Sequence, residues 1–254
     1  RGSGARVAAR TVSTIERPAE SRQVKRFKGD DMRFPKIALW MAVFVVAACA
    51  SGSQKYADDY YDQGLVFYER MEYTRSVDSF NKVLELEPNG KDTYKVYYNR
   101  GNAHLKSRQY DQAIYDFTKA LELTPPGEKQ MRYFILESRG NASQKDGRID
   151  ASIDDYTQAV ELLPNQKKIQ FVYHNRGWSW ISKKKYDAAI DDFSQALKRD
   201  AAFAPAYYGR ALAWYEKGDY ERAAIDAKDA IKRDPGKKDY DDLLFDIRTA
   251  LQQQ

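Results

Sequence analysis

Between residues 57 and 237 one hydrophobic pattern repeats five times. Its most regular part is a small residue, an aromatic four positions on, and a second small residue three beyond that. It reads Ser76/Phe80/Val83, Ala113/Phe117/Ala120, Ser152/Tyr156/Ala159, Ala189/Phe193/Ala196 and, with alanine for the aromatic, Ala223/Ala227/Ala230. Residues so spaced lie on one stripe of an α-helix. Upstream of each stripe a second helical stretch carries a marker glycine, at Gly64, Gly101, Gly140 and Gly177, with Ala211 in the last copy. A glycine there lets the neighbouring helix approach closely. Short polar corners such as Lys145-Asp146-Gly147 and Gly218-Asp219 separate the two stretches, and Tyr73, Tyr110, Ile149, Tyr186 or Tyr220 follows each corner. Pro88, Pro125, Pro164 and Pro235 close four of the units, and Ala201 stands in the fourth.

The pattern predicts five antiparallel helix pairs, A then B, over 57–90, 94–127, 133–166, 170–203 and 204–237. The markers are 37, 39, 37 and 34 residues apart. The extra residues, 91–93, 128–132 and 167–169, fall on the turn entering the next helix A, so three A helices are expected to start about one turn early. Residues 239–251 place Leu243, Leu244, Ile247, Ala250 and Leu251 on one helical face, behind an acidic start at Asp239, Asp241 and Asp242. Acidic residues suit a helix N-terminus, and the segment reads as the cap that an end repeat requires. The tail 252–254 is expected to fray. No segment predicts a strand.

A period in the mid-thirties with this grammar of glycine, small, aromatic and proline positions resembles the tetratricopeptide repeat. The clearest copies begin Tyr97-Tyr98-Asn99-Arg100-Gly101 and Tyr173-His174-Asn175-Arg176-Gly177. The resemblance implies an all-α fold, a right-handed α-solenoid of five helix-turn-helix units plus a C-terminal capping helix. One unit alone cannot bury its stripe, whereas stacked neighbours can. It also implies a protein that works by holding another protein. In proteins the chain resembles, positions 2, 5, 9, 12 and 13 of each unit line a concave groove. Those positions include Tyr61, Tyr68, Lys95, Tyr98, Asn102, Lys106, Glu137, Asn141, Lys145, His174, Trp178, Tyr208 and Tyr215. Aromatic rings supply apolar area at low entropy cost, and Asn can bond a peptide backbone in both directions, so the set suits an extended peptide or a partner helix. Some members of the family clamp a C-terminal carboxylate with Lys and Asn. Asn102, Asn141 and Asn175 match part of that pattern. Tyr98 stands where the first lysine belongs, and Phe171 and Pro205 do not supply the later one, so a tail clamp is not expected.

The N-terminal part speaks to location. Arg33 and Lys36 precede an uninterrupted apolar run, Ile37 to Ala48, which ends Val46-Ala47-Ala48-Cys49. A basic start, an apolar core and small residues before a cut describe a secretory signal. The run is too short to span a membrane, which takes roughly 20 apolar residues. The ending resembles the bacterial lipobox, which implies a signal peptide over 32–48 and a lipid-bearing Cys49, followed by a tether through about residue 56. Ala50 rather than Asp after that cysteine implies the outer membrane, facing the periplasm. Upstream, Lys28-Gly29-Asp30 can be read back as AAA-GGA-GAY. That contains AAGGAG, a bacterial ribosome-binding sequence, just before the Met32 codon. Residues 1–31 are therefore expected to be a disordered upstream reading-frame extension.

This division changes the charge balance. The whole chain is +5, but residues 1–48 hold 10 Lys/Arg and 4 Asp/Glu, which leaves 32 basic and 33 acidic residues in the remainder. A near-neutral domain gives no electrostatic case for nucleic acid. Cys49 is the only cysteine and His104 and His174 the only histidines, so no disulfide, thiol pair or metal-ligand spacing exists, and no cofactor motif is present. The acidic pairs Asp58-Asp59, Asp154-Asp155 and Asp191-Asp192 are expected on solvated helix faces, and His104 as a packed ring. The reading is a non-catalytic scaffold or adaptor of the bacterial cell envelope. A pilotin-like assembly factor for a pilus or secretin, and a cell-wall enzyme or enzyme subunit, are the alternatives. Cys49→Ser is expected to abolish metabolic lipid labelling and leave uncleaved precursor; a variant that still reaches mature size and sediments with membranes would overturn the anchor.

Overall fold

A computed structural model describes residues 54–253, and among these there are eleven helices and no strand. Helix α1 occupies 54–69, followed by α2 (Tyr73–Leu86), α3 (Thr93–Lys106), α4 (Tyr110–Leu123), α5 (Lys129–Lys145) and α6 (Ile149–Leu162). Then come α7 (Gln170–Ser182), α8 (Tyr186–Arg199), α9 (Ala204–Glu216), α10 (Tyr220–Arg233) and α11 (Lys238–Gln252). Odd-numbered helices up to α9 are the A members and even-numbered ones the B members. Each B helix begins on the aromatic or Ile that follows its corner.

The corners share one geometry. A single residue in each turns left-handed: Met71 (φ 61°), Arg108 (62°), Gly147 (80°), Lys184 (56°) and Gly218 (82°). Two backbone bonds then close helix A in the Schellman pattern. At the fourth corner the Lys185 N–H donates to the Trp180 carbonyl (2.9 Å) and the Lys184 N–H to the Ile181 carbonyl (2.8 Å). The same pair recurs from Asp219 to Trp214 (3.0 Å) and from Gly218 to Tyr215 (2.9 Å). The turn therefore reverses the chain in three residues, and the B helix packs back along its A partner.

The marker glycines explain how closely. A Cβ added at Gly64 would stand 2.7 Å from a ring carbon of Phe80, at Gly101 2.8 Å from Phe117, at Gly140 2.7 Å from Tyr156 and at Gly177 2.9 Å from Phe193. Each B-helix ring thus lies on the bare backbone of its own A helix. The fifth unit changes both members together, since Ala211 and Ala227 share one buried cluster. Phe193 is held twice, because a Cβ on Gly209 of α9 would stand 2.4 Å from it. The small residues of the stripe are fully buried at Ala113, Ala120, Ala159, Ala189, Ala196, Ala223 and Ala230. Helix α11 closes the stack on Tyr240, Leu243, Leu244 and Ile247.

Several expectations change. Of the three A helices expected to begin early, only α5 does, at Lys129. Helix α3 starts at Thr93 and α7 at Gln170, because 91–92 and 167–169 form turns and Lys168 is left-handed (φ 67°), which a helix cannot continue through. Residues 54–56, expected in a tether, already belong to α1, where the Gln54 amide donates to Asp58 one turn on (3.1 Å). The tail helix continues through Gln252. Cys49, the signal segment 32–48 and residues 1–31 lie outside the described residues. Among the described residues no helix is long and apolar enough to cross a membrane.

Gly101→Ala should cost about 1–3 kcal/mol, the usual range for overpacking. In a Phe117→Leu background most of that cost should vanish, as the natural Ala211 and Ala227 combination suggests. Chemical denaturation of the four proteins of this cycle measures the coupling; additive effects would show that the glycine does not seat the ring.

Candidate partner-binding groove

What places the A helices relative to one another is a set of buried ion pairs. Arg100, Arg139, Arg176 and Arg210 each sit one residue before a marker position and grip an aspartate on the B helix of the same unit. Arg100 Nε and Nη2 donate to Asp116 (2.9 and 2.6 Å), and Arg176 donates in the same way to Asp192 (2.8 and 2.7 Å). Arg139 holds Asp155 (3.0 and 2.6 Å) and Arg210 holds Asp226 (2.7 and 2.8 Å). The remaining guanidinium arm reaches the B helix of the preceding unit, at Asn81 (2.7 Å), Thr118 (3.1 Å), Thr157 (2.9 Å) and Ser194 (3.0 Å) respectively. One side chain therefore ties three helices.

This overturns the solvated reading of two acidic pairs. Asp154 and Asp191 are exposed, but Asp155 and Asp192 are buried. Neighbours on a helix point about 100° apart, so one carboxylate faces water and the other faces the arginine. Burial pushes the Asp155 and Asp192 carboxyls above their ordinary range, and the arginine bonds pull back against it. Asp58 and Asp59 are both exposed. His104 is a half-buried ring whose Nδ1 bonds Gln109 (2.6 Å).

With each B-helix stripe packed on its own A helix, the A helices lie side by side and present their other face. At its first end the Asn99 amide donates to the Tyr61 hydroxyl across the α1–α3 boundary (2.8 Å). Beside it Tyr68, Tyr98 and Asn102 line an open hollow of about 290 Å³ floored by Leu65 and Phe80. Lys95 is drawn aside to Asp92 (2.8 Å). Lys106 and Lys145 stand exposed in the last turns of α3 and α5.

In the middle, Asn141 is already engaged. Its side-chain oxygen accepts from the Tyr156 hydroxyl (2.7 Å) and from the Asn175 amide (2.9 Å). Gln144 reaches across to the Asn175 carbonyl (2.8 Å) and to Ser179 (2.9 Å). Asn141, expected to meet a partner backbone, and Asn175, which matched part of the clamp pattern, thus spend polar atoms on joining α5 to α7. Glu137 is half-buried beside them, and burial raises its pKa.

The far end is a run of rings on α7, α9 and α11. His174 and Trp178 pack at 6.2 Å, Trp178 and Tyr208 at 6.0 Å, and Tyr208 stacks on Tyr240 of the cap at 4.9 Å. Trp178 and Tyr208 stay half-buried, so each keeps one edge open. Tyr215 lies against Tyr220 (5.5 Å). The structure therefore collects the expected residues into two aromatic regions with a polar centre. Tyr240 was missed, because nothing in the sequence ties a cap residue to the face of the repeats. The arginines were legible in principle: Asn-Arg-Gly occurs twice, and each arginine precedes its aspartate by sixteen residues.

Comparison with known proteins agrees with this geometry. Sequence models of the tetratricopeptide repeat match residues 94–125 and 177–238. A search of curated proteins finds no matching relative. Among solved structures, MamA shares 20% identity at a TM-score of 0.63, over 71% of this chain and 92% of its own. A tetratricopeptide repeat protein from Parabacteroides merdae ATCC 43184 shares 19% at 0.68, over 78% of this chain and 74% of its own. YrrB, described as a TPR protein with an unusual peptide-binding site, shares 20% at 0.62, over 80% and 97%. With the helix pairs and their seats in hand, the class is an all-α solenoid of helical hairpins. Residues 94–125 and 177–238 match the tetratricopeptide repeat, and the described residues share the fold of tetratricopeptide repeat proteins. Such repeats are typically non-catalytic modules that hold other proteins on an extended surface. Among the described residues no group of three or more His, Cys, Asp or Glu could hold a metal ion.

His174 gives this face a pH dependence. Trp178 Nε1 donates to His174 Nε2 (3.0 Å), so the ring proton sits on Nδ1, which meets the Asn175 side-chain oxygen (3.2 Å). Burial lowers the His174 pKa, partly offset by the Asn175 bond. A histidine whose folded pKa lies below its unfolded value of about 6.5 stabilises fully above that pH and loses its contribution as pH falls through the folded pKa. Thermal melts should therefore show lower stability at pH 5 than at pH 7.5, and His174→Phe should flatten part of that fall. An unaltered pH profile in the variant would show that His174 is not the titrating group.

Proposed function

We propose that this protein is a membrane-anchored, non-catalytic scaffold of the bacterial cell envelope that holds an extended peptide or a helix of a partner protein along its A-helix face. The observation that carries the groove is the ring run from Trp178 to Tyr208, backed by Tyr240, with open edges on adjacent helices. Rings fixed by packing contribute contact area with little further ordering on binding. They sit where the family lines its groove, and one protein of the same fold, YrrB, is described as having a peptide-binding site. The anchor rests on the sequence alone: the basic start, the apolar run and Val46-Ala47-Ala48-Cys49 support a lipidated, periplasm-facing protein of the outer membrane. Two or more acyl chains make a stable anchor, since each buried CH₂ contributes about 0.8 kcal/mol.

Affinity capture from crosslinked envelopes, using the tagged and lipidated protein, tests the groove. Truncating an aromatic anchor typically costs about 2 kcal/mol or more of binding. Trp178→Ala should therefore reduce recovery of the partner at least about tenfold while leaving the protein helical. Lys184→Ala, at an exposed corner, should leave recovery unchanged. The reverse pattern would move the binding surface to the corners or the B-helix side.

A further inference from the structure

Glu137 is a half-buried acid that lacks the arginine given to each fully buried acid of the described residues. Asp116, Asp155, Asp192 and Asp226 are each gripped by an arginine. Glu137 has no hydrogen bond or ion pair among the described residues, although it is half-buried between Tyr133 and Tyr156, whose hydroxyls its charge helps to keep protonated. Desolvating a carboxylate without a partner is costly, and the fold elsewhere avoids that cost four times.

Its position is equally distinctive. The fifth and ninth positions of the five A helices put ten side chains on the face described above. Glu137 is the only carboxyl among the ten, and none of the others is a lysine or an arginine. It also lies at the centre, on the third of five units, between the two aromatic regions. Phe134, one turn earlier on α5, and Phe171, at the start of α7, are about 38% and 40% exposed. A long basic side chain has the shape for such a place: its methylenes cover apolar surface while its head reaches a charge. Phenylalanine faces add an attraction for the cation itself.

We propose that the centre of this face receives a lysine or arginine from an otherwise uncharged, apolar-flanked segment of the partner, with its cation on the Glu137 carboxylate and its stem against Phe134 and Phe171. This rests on the groove reading and specifies its ligand. It is the opposite of a clamp for an acidic tail, whose lysine positions here hold Tyr98, Phe171 and Pro205.

The full-length protein can be panned against a phage-displayed library of random short peptides. The selected peptides should share one lysine or arginine between apolar residues. Glu137→Gln should bind those peptides at least about thirtyfold more weakly, the lower range for removing one partner of a desolvated charge pair. The same variant should melt at or above the wild-type temperature, because it removes an uncompensated charge. Glu137→Lys should select acidic peptides instead. If the peptides share no basic position, or bind Glu137→Gln unchanged but are lost by Trp178→Ala, the groove stands and the cation site falls. If no peptide is selected, or the peptides bind all variants alike, both readings fall.

Discussion

Four buried arginine–aspartate pairs hold this stack in register. Each arginine closes its own hairpin with two parallel bonds and uses its third arm on the preceding unit. Burying such a pair is expensive, and well-packed apolar residues can often replace it at no loss, whereas removing one partner costs about 3–5 kcal/mol. What the pair adds over an apolar contact is direction. A planar fork with fixed donors accepts one relative placement of three helices, while a greasy stripe would tolerate sliding. The first unit lacks the pair, with Gln63 and Ser79 at the matching positions, and no unit precedes it among the described residues for a third arm to reach.

The glycine seats complete that constraint. A ring lying on bare backbone fixes how far the B helix stands from its A partner, and the arginine fixes how the hairpin turns against the one before. Together they seat the rings of the B helices on their A partners and leave the opposite face of the A helices free of the arginine and glycine contacts. That is why aromatic and amide side chains can gather there. The face is nevertheless tied together: Asn99 to Tyr61, Asn175 to Asn141, Trp178 to Tyr208. These links stiffen the surface that a partner would meet, which reduces what must be ordered on binding. The fully buried polar groups are satisfied throughout the described residues. Glu137, half-buried at the centre of this face, has no such partner among the described residues.

Much of this was legible along the chain because it is periodic. The stripe of small and aromatic residues, the marker glycines and the corner residues recur in step, and each reports a local requirement: a helix face, a close approach, a left-handed turn. The covariation of Ala211 with Ala227 was visible too, although its meaning depends on the ring that is missing. The cap followed from one apolar face behind an acidic start.

The tertiary structure decided what depends on partners far apart in sequence. Asp155 and Asp154 are alike as residues, and only the packing of α5 on α6 sends one to Arg139 and the other to water. Asn141 looked free to meet a ligand, but the approach of α7 engages it. The insertions at 91–93 and 167–169 had the length to extend a helix, and a left-handed Lys168 ended that option in one of them. A helical period specifies which side of an element is apolar. It does not specify which polar atoms find each other across two or three elements, since that requires distances of a few ångströms that only the assembled stack supplies.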